Sequence, residues 1–291
     1  MISSNQLPQR EGYLKKRRNK RLIKYWIIFF LIVFIIGISS YISHRPNLRI
    51  SKVELSGGVL VTQNDIEPLA LSYIAGSYLL LFPKNNAFLY PQKALEKYLK
   101  ETFKRIDSVS VHSKGFNTLT IDITERKPVA LWCKSAYSAG ISAQESTTTT
   151  ITSDEDKCYF IDQNSTIYAN APNFSGDAYF KYYGLVTDDL PIGKVYIASS
   201  TEFAEISDFV AKTKELSLRP LYVTAKDNDE FSLIVFGGGQ IYFDVKEPLS
   251  QVGQNLEALL RTPALATSTR GNIPIDYIDL RYGNKLFYKL K

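Results

Sequence analysis

Histidine and cysteine are nearly missing from this chain, and most catalytic and metal chemistry goes with them. In 291 residues there are two of each. His44 abuts a long apolar segment and His112 falls in an alternating strand pattern, a poor setting for a catalytic triad or a zinc site. Cys133 and Cys158 are too few for a metal cluster. The sequence holds no HExxH, Ser-x-x-Lys, GxSxG or Walker loop. The Gly-rich "FGGGQ" at 236–240 lies between two strand patterns rather than before a helix, so it reads as a tight turn and not a phosphate cradle. Asp154, Glu155 and Asp156 sit in a Ser/Thr-rich stretch and read as solvated charge. The expectation is a protein that is not an enzyme, with no cofactor, no metal and no small-molecule substrate.

Positive charge is also scarce once it is mapped along the chain. The formal net charge is +6, but residues 1–24 hold eight basic side chains against Glu11. That tail is +7, which leaves the remaining 267 residues at −1. Nucleic-acid binding by the bulk of the chain is therefore not expected. The basic tail abuts residues 25–42, "YWIIFFLIVFIIGISSYI", an uncharged run long enough as a helix to cross most of a ~30 Å hydrocarbon core. A secretory signal peptide is the alternative, but its apolar region is usually ~7–15 residues long and ends at a small-residue cleavage site, whereas this run enters "SHRP". The reading is an uncleaved single-pass anchor in the cytoplasmic membrane. Tyr25, Trp26 and Tyr41 sit at its ends, and the flanking charge puts the N-terminus in the cytoplasm and the rest outside.

In an oxidising compartment Cys133 and Cys158 are a possible disulfide, with two unpaired thiols the alternative. They bracket residues 134–157, a low-complexity stretch that reads as a long flexible loop.

The outer part begins with a strand carrying Ile50, Val53 and Leu55. A helix follows with Thr62 as cap, Asp65 in its first turn and Ile66, Leu69 and Leu71 along it; a second carries Leu95, Tyr98, Leu99 and Phe103, with Pro91 in its first turn. Ile106, Val109 and Val111 then pair through a hairpin with Leu119, Ile121 and Ile123. The remainder is mostly strands, interrupted by two amphipathic helices. One carries Phe203, Ile206, Phe209 and Val210, capped by Ser200 or Thr201; the other carries Leu249, Val252, Leu256, Leu259 and Leu260. A last pair of strands flanks Gly283 and Asn284.

Within this order, "ISKVELSG", "IDSVSV", "TLTIDITERKPVALW" and "YIDLRYGNKLFYK" resemble the bacterial cell-division family FtsQ/DivIB over nearly the whole chain. The resemblance implies an α+β protein: a basic tail (1–24), one transmembrane helix (25–42), a POTRA domain of β-α-α-β-β order (49–126) and a mostly antiparallel β domain with flanking helices (127–291). It further implies a noncatalytic divisome scaffold at the division septum, with small coiled-coil membrane partners of the FtsB/FtsL type. One departure stands out: where the family often has Gly in the hairpin turn that opens the β domain, this chain has Ser165 after Asn164, a residue that tolerates left-handed backbone.

The terminal strands are the expected docking element, because a strand edge offers unpaired N–H and C=O groups to a partner's strand. On this reading Arg281, Tyr282, Asn284, Leu286 and Tyr288 make the partner contacts; the alternative is that they merely finish the sheet. Glu125, Arg126, Pro128 and Trp132 mark the interdomain joint. Pro128 restrains Lys127 from helical geometry as the chain leaves one sheet for another, and Trp132 opens the second core. Two other functions fit less well: a POTRA-bearing, membrane-anchored translocation or outer-membrane assembly accessory factor, which usually has several tandem POTRA units, and an anchored cell-wall enzyme lacking a motif signature.

Overall fold

The computed structural model describes residues 9–134, 157–172, 178–187, 189–227, 229–262, 265, 275–283 and 285–291, with side chains from Leu22 onward. Asn284 and residues 135–156 of the Ser/Thr-rich stretch lie outside the described residues. Contacts divide the chain into two units, Met1–Glu125 and Arg126–Lys291.

The first unit starts with helix α1 (Gln9–Ser43), longer than the apolar run alone because the preceding tail holds no Pro after residue 8 to break it. Its part Leu22–Ser43 contains an apolar window of mean hydropathy 2.5 that is not buried in protein, which fits a single transmembrane anchor. A short 3₁₀ turn, Pro46–Leu48, leads to β1 (Lys52–Ser56). Next come α2 (Gln63–Tyr73), the small hairpin β2 (Ser77–Tyr78) and β3 (Phe82–Pro83), α3 (Gln92–Thr102), β4 (Ile106–Lys114) and β5 (Thr118–Glu125).

The sheet order is β1-β5-β4, with β1 parallel and β4 antiparallel to β5. Apart from the β2–β3 hairpin, this is the β-α-α-β-β order expected of a POTRA domain. A capping box starts α2: the Asp65 carboxylate accepts from the Thr62 backbone N–H at 3.0 Å and its hydroxyl at 2.7 Å. The buried stripe runs Ile66, Ala70, Ile74, while Leu69 and Leu71 are only half-buried, because the four-residue spacing and not the leucines defines the face against the sheet. Pro91 occupies the cap position of α3 rather than its first turn. Strict alternation would put Ile106 and Val109 on opposite faces. An irregularity between Ile106 and Ser108 turns the strand, so that Ile106 is buried and Val109 packs on the same core. Gly57, at φ +83°, ends β1 where an added Cβ would lie 2.2 Å from the Ile123 carbonyl oxygen, so only Gly fits.

The second unit is built on one nine-stranded sheet, β14-β13-β12-β11-β10-β9-β6-β7-β8. Its strands are β6 (Ala130–Cys133), β7 (Cys158–Ile161), β8 (Ile167–Asn170), β9 (Lys181–Tyr183), β10 (Pro220–Ala225), β11 (Glu230–Val235), β12 (Gly239–Asp244), β13 (Ile275–Tyr282) and β14 (Lys285–Leu290). Pairing is mainly antiparallel, with parallel neighbours at β6–β9, β9–β10 and β12–β13. The "FGGGQ" segment turns between β11 and β12, with Gly237 and Gly238 at positive φ.

Helices α4 (Ser200–Glu215) and α5 (Leu249–Leu260) pack on each other and bury Phe203, Ile206, Phe209, Leu249, Val252 and Leu256 against the sheet. The cap of α4 is Ser199, whose hydroxyl accepts from Glu202 N–H. Ser200 and Thr201 already lie inside the first turn.

The β7–β8 turn is held by Asp162, whose Oδ1 accepts from the N–H groups of Asn164 and Thr166. Ser165, not Asn164, takes the left-handed conformation, at φ +62°. Its buried hydroxyl accepts from Ile197 N–H at 2.8 Å, a bond that Gly could not supply.

Cys133 and Cys158 stand opposite each other across β6–β7 and are bonded as a disulfide. Reducing this link, which joins residues 25 apart in sequence, should destabilise the second unit by about 3 kcal/mol on the loop-closure model. Thermal unfolding of the detergent-solubilised chain with and without reductant measures it, and an unchanged midpoint would contradict it.

Two charged residues meet at the unit boundary. Glu125 Oε1 accepts from the N–H groups of Val59, Leu60 and Val61 at 2.8, 2.8 and 2.9 Å. Arg126 Nη1 donates to Asp162 Oδ2, with both side chains largely buried. Burial raises the Glu125 carboxyl, but the three amide bonds and the Arg105 charge outweigh it and hold it below the ordinary carboxylate value. A depressed folded pKa contributes stability at neutral pH that is lost as pH falls through that value, below about pH 4. Glu125→Gln, the neutral mimic, should therefore lower the thermal midpoint at neutral pH, and the two curves should converge in acid. Curves that stay parallel across the range would contradict this.

Candidate functional site

An open sheet has two edges, and this one treats them differently. Beyond β8 lies the segment around residues 193–196. Ile167 N–H donates to the Lys194 carbonyl, Gly193 N–H to the Ile167 carbonyl, Tyr196 N–H to the Ser165 carbonyl, and Thr166 bridges to Val195. These bonds cover the edge from Ser165 to Ile167, where β8 begins. Among the described residues β14 pairs only with β13, so its outer side offers unpaired backbone groups along six residues, about 20 Å of strand.

Side chains of β14 divide between its two faces. Leu286 and Leu290 pack on the second unit's core, while Phe287 is 51% exposed and Tyr288 is 42% exposed. Tyr282, at the end of β13, is 56% exposed, and its ring stands edge-on to Phe287 with centroids 5.4 Å apart. Lys285 and Lys289 flank Phe287 and Tyr288 along the strand, and Lys289 pairs with Asp276 at 2.9 Å. Edge lysines discourage indiscriminate strand pairing.

Behind the edge runs a polar and aromatic ladder on one face of the sheet. The Arg281 guanidinium grips Asp279, two residues earlier on the same strand, through Nε to Oδ1 at 2.9 Å and Nη2 to Oδ2 at 2.6 Å. Its Nη1 donates to Glu230 Oε2 on β11 at 2.8 Å. Between them, on β12, the Tyr242 ring carries Arg281 at 5.3 Å and the Lys226 ammonium at 4.5 Å. The hydrogen bonds that Arg281 donates to Asp279 raise it against the opposing effect of burial, and the Glu230 carboxylate adds to that. Burial raises Asp279, but hydrogen bonds from Arg281 and the charges of Arg281 and Lys226 prevail and hold it below its ordinary value. Such a braced guanidinium is a fixed strut, with three of its donors already directed inward.

Of the contact residues read from the sequence, the structure thus brings Arg281, Tyr282, Leu286 and Tyr288 to one edge. Tyr282 faces outward beside Phe287, Tyr288 is 42% exposed on the face it shares with Leu286, opposite Ile278, Arg281 is bound into the ladder, Leu286 packs inward, and Asn284 lies outside the described residues. Phe287 escaped sequence reasoning, although alternation with core-facing Leu286 signals its outward position. Asp279 and Glu230 were also missed; the two-residue spacing of "DLR" is the cue for the first, and nothing local indicates the second.

The joint residues have local partners. Glu125 binds the loop before α2, Arg126 binds Asp162, and Trp132 is buried with its indole N–H on the Gly184 carbonyl at 3.0 Å. Pro128 lies between β5 and β6, just before Val129, whose N–H donates to the Ile161 carbonyl. His44 Nδ1 lies 2.8 Å from the Ser40 carbonyl, and His112 faces Asp122 at 3.3 Å on the open surface of β4–β5. Among the described residues no group of three or more His, Cys, Asp or Glu side chains is placed to hold a metal ion.

Comparison with known proteins agrees with this architecture. Residues 48–126 match the family model "POTRA domain, FtsQ-type". The chain is 24% identical over 170 residues to the cell division protein FtsQ of Streptomyces griseus, an alignment spanning 58% of this chain and 76% of that protein. Residues 48–126 are thus a POTRA domain of the FtsQ type, and with an apolar helix before it and a large sheet after it the chain is similar to the FtsQ/DivIB cell-division proteins, whose family these matches support.

Proposed function

We propose that the chain is a noncatalytic scaffold of the division machinery. Helix α1 crosses the cytoplasmic membrane once, the basic tail stays in the cytoplasm, and the two following units act outside it at the septum. The free edge of β14 accepts a strand from a small coiled-coil membrane protein of the FtsB/FtsL type. The observation that supports this reading is the β14 edge itself, which among the described residues has no strand on its outer side and carries the exposed rings of Tyr282, Phe287 and Tyr288, whereas the start of β8 is covered by residues 193–196.

Backbone pairing supplies affinity in such a complex, and outward side chains set register and specificity. Tyr and Phe suit this role because a large ring is desolvated with little loss of side-chain freedom. Arg281 acts here as a positioning residue: anchored to Asp279 and Glu230, it stiffens the strand from which Tyr282 projects. Leu286 fixes the register of β14 by its inward packing.

Tyr282→Glu and Phe287→Glu should each cut recovery of the coiled-coil partner with the full chain from solubilised membranes by about tenfold or more, the effect of losing an aromatic contact worth ~2 kcal/mol. Both rings are half-exposed, so the thermal midpoint should move little. Undiminished recovery, together with unchanged septal localisation of the variant, would sink the proposed docking edge.

A further inference from the structure

The β2–β3 hairpin breaks two rules at once. Its turn, Tyr78-Leu79-Leu80-Leu81, closes through Leu81 N–H to the Tyr78 carbonyl at 2.9 Å. Leu79 and Leu80 hold φ +47° and +64°, the left-handed backbone of a primed turn, where Asn and Gly are the favoured residues. Both leucines are also 90% exposed. In water this sequence is unfavourable for backbone and side chain alike, and such local violations mark places where another requirement dominates.

Three hydrogen bonds locate the hairpin against α1. At its base Asn86 Nδ2 donates to the carbonyl and hydroxyl of Ser43, the last residue of the helix. Nearer the tip, the Leu81 carbonyl accepts from the Ser40 hydroxyl at 2.6 Å. From Asn86 to Leu81 the chain therefore descends the helix by three residues, about 4.5 Å toward its apolar middle. Leu79 and Leu80 form the tip of the hairpin, next in the chain to Leu81.

The surroundings match a membrane surface. Residues 76–90 contain no acidic side chain and one basic one, Lys84, whose ammonium lies over the Tyr78 ring at 5.6 Å. Phe88 is 70% exposed and Phe116 is 51% exposed, with ring centroids 5.5 Å apart. Both sit by the exit of α1: Phe88 N–H bonds to Asn86, and Asn117 donates to the Pro46 and Arg49 carbonyls. Tyr41, with Arg45 over its ring at 4.9 Å, completes an aromatic and cationic rim.

We infer that the Leu79-Leu80 tip inserts into the acyl region of the outer leaflet beside α1, with Phe88 and Phe116 at headgroup level. The first unit is thereby held against the bilayer as well as tethered to it. This rests on the proposed reading of α1 as membrane-spanning. Lipid is the occupant because the tip continues the apolar surface of α1 at the same height, and an interfacial apolar contact of this kind needs no shaped pocket.

The test uses the full chain, its native cysteines still bonded, in phosphatidylcholine/phosphatidylglycerol vesicles. An environment-sensitive fluorophore is placed in turn at Ile35→Cys in the helix, Leu80→Cys at the tip and Lys97→Cys on exposed α3. Lipids carrying a doxyl quencher high on the acyl chain should quench the Leu80 label and leave it blue-shifted, while the Lys97 label stays unquenched. A Leu80 label that behaves like Lys97 while Ile35 is quenched overturns the insertion alone; an unquenched Ile35 label overturns the spanning reading itself. A blue shift at Leu80 without lipid quenching, seen only in native membranes, would place a partner's helix there and also overturn it. In a second variant, Leu79→Asn with Leu80→Gly supplies the residues the turn prefers. It should keep or raise the thermal midpoint yet lose quenching of a label at Phe88→Cys; retained quenching counts against the tip as the anchor.

Discussion

Every backbone N–H and C=O that leaves water must find a partner, and the parts of this chain meet that demand in different ways. Helix α1 satisfies its groups internally, as any segment exposed to lipid must. The three-stranded sheet of the first unit is short and backed by two helices. The nine-stranded sheet is open, so its two edges need separate answers: residues 193–196 cover the start of β8 at one, and the described residues leave the other unpaired. On the proposed account, function lives in that imbalance. A scaffold needs no titrating group, only a surface whose hydrogen-bonding capacity another chain can complete.

Charged residues serve geometry throughout. Glu125 gathers three successive amides before α2, Asp162 organises the turn that opens the second unit and receives Arg126, and Asp279 with Glu230 fixes Arg281. In each case an ion takes up donors that would otherwise point at one another or at nothing. The corner "ERKP" is therefore built from two local clamps, one on either side of the unit boundary. Held this way, the ends of β5 and β6 are fixed within their own units however the segment between them bends.

Much of the fold was legible because its signals are local or periodic. The apolar run, the Thr62–Asp65 capping pair, the alternation of β5 and the helical spacing of α4 and α5 each contain enough information within a dozen residues to fix an element. What escaped was set by distant partners. Leu69 and Leu71 gave the wrong stripe for α2, since Ile66, Ala70 and Ile74 are the residues that meet the sheet. Ser165 looked like a departure from a glycine turn, and its role depends on Ile197, far along the chain. At the candidate site, the strand pair around Gly283 and Asn284 could be read from its alternation, which also places Phe287 opposite in face to Leu286. That Arg281 faces inward depends on Glu230, fifty-one residues away. The hairpin tip was missed for a different reason: "YLLLFP" reads as ordinary core, and only the left-handed backbone and its place beside α1 show otherwise.

Amide hydrogen exchange along residues 285–290, measured on the full chain alone and then with the proposed coiled-coil partner, tests the open edge most directly. The account predicts that outward amides of β14 exchange quickly in the free protein and become strongly protected in the complex, while those of β8 change little. Protection that appears elsewhere while β14 stays as fast as before would contradict it.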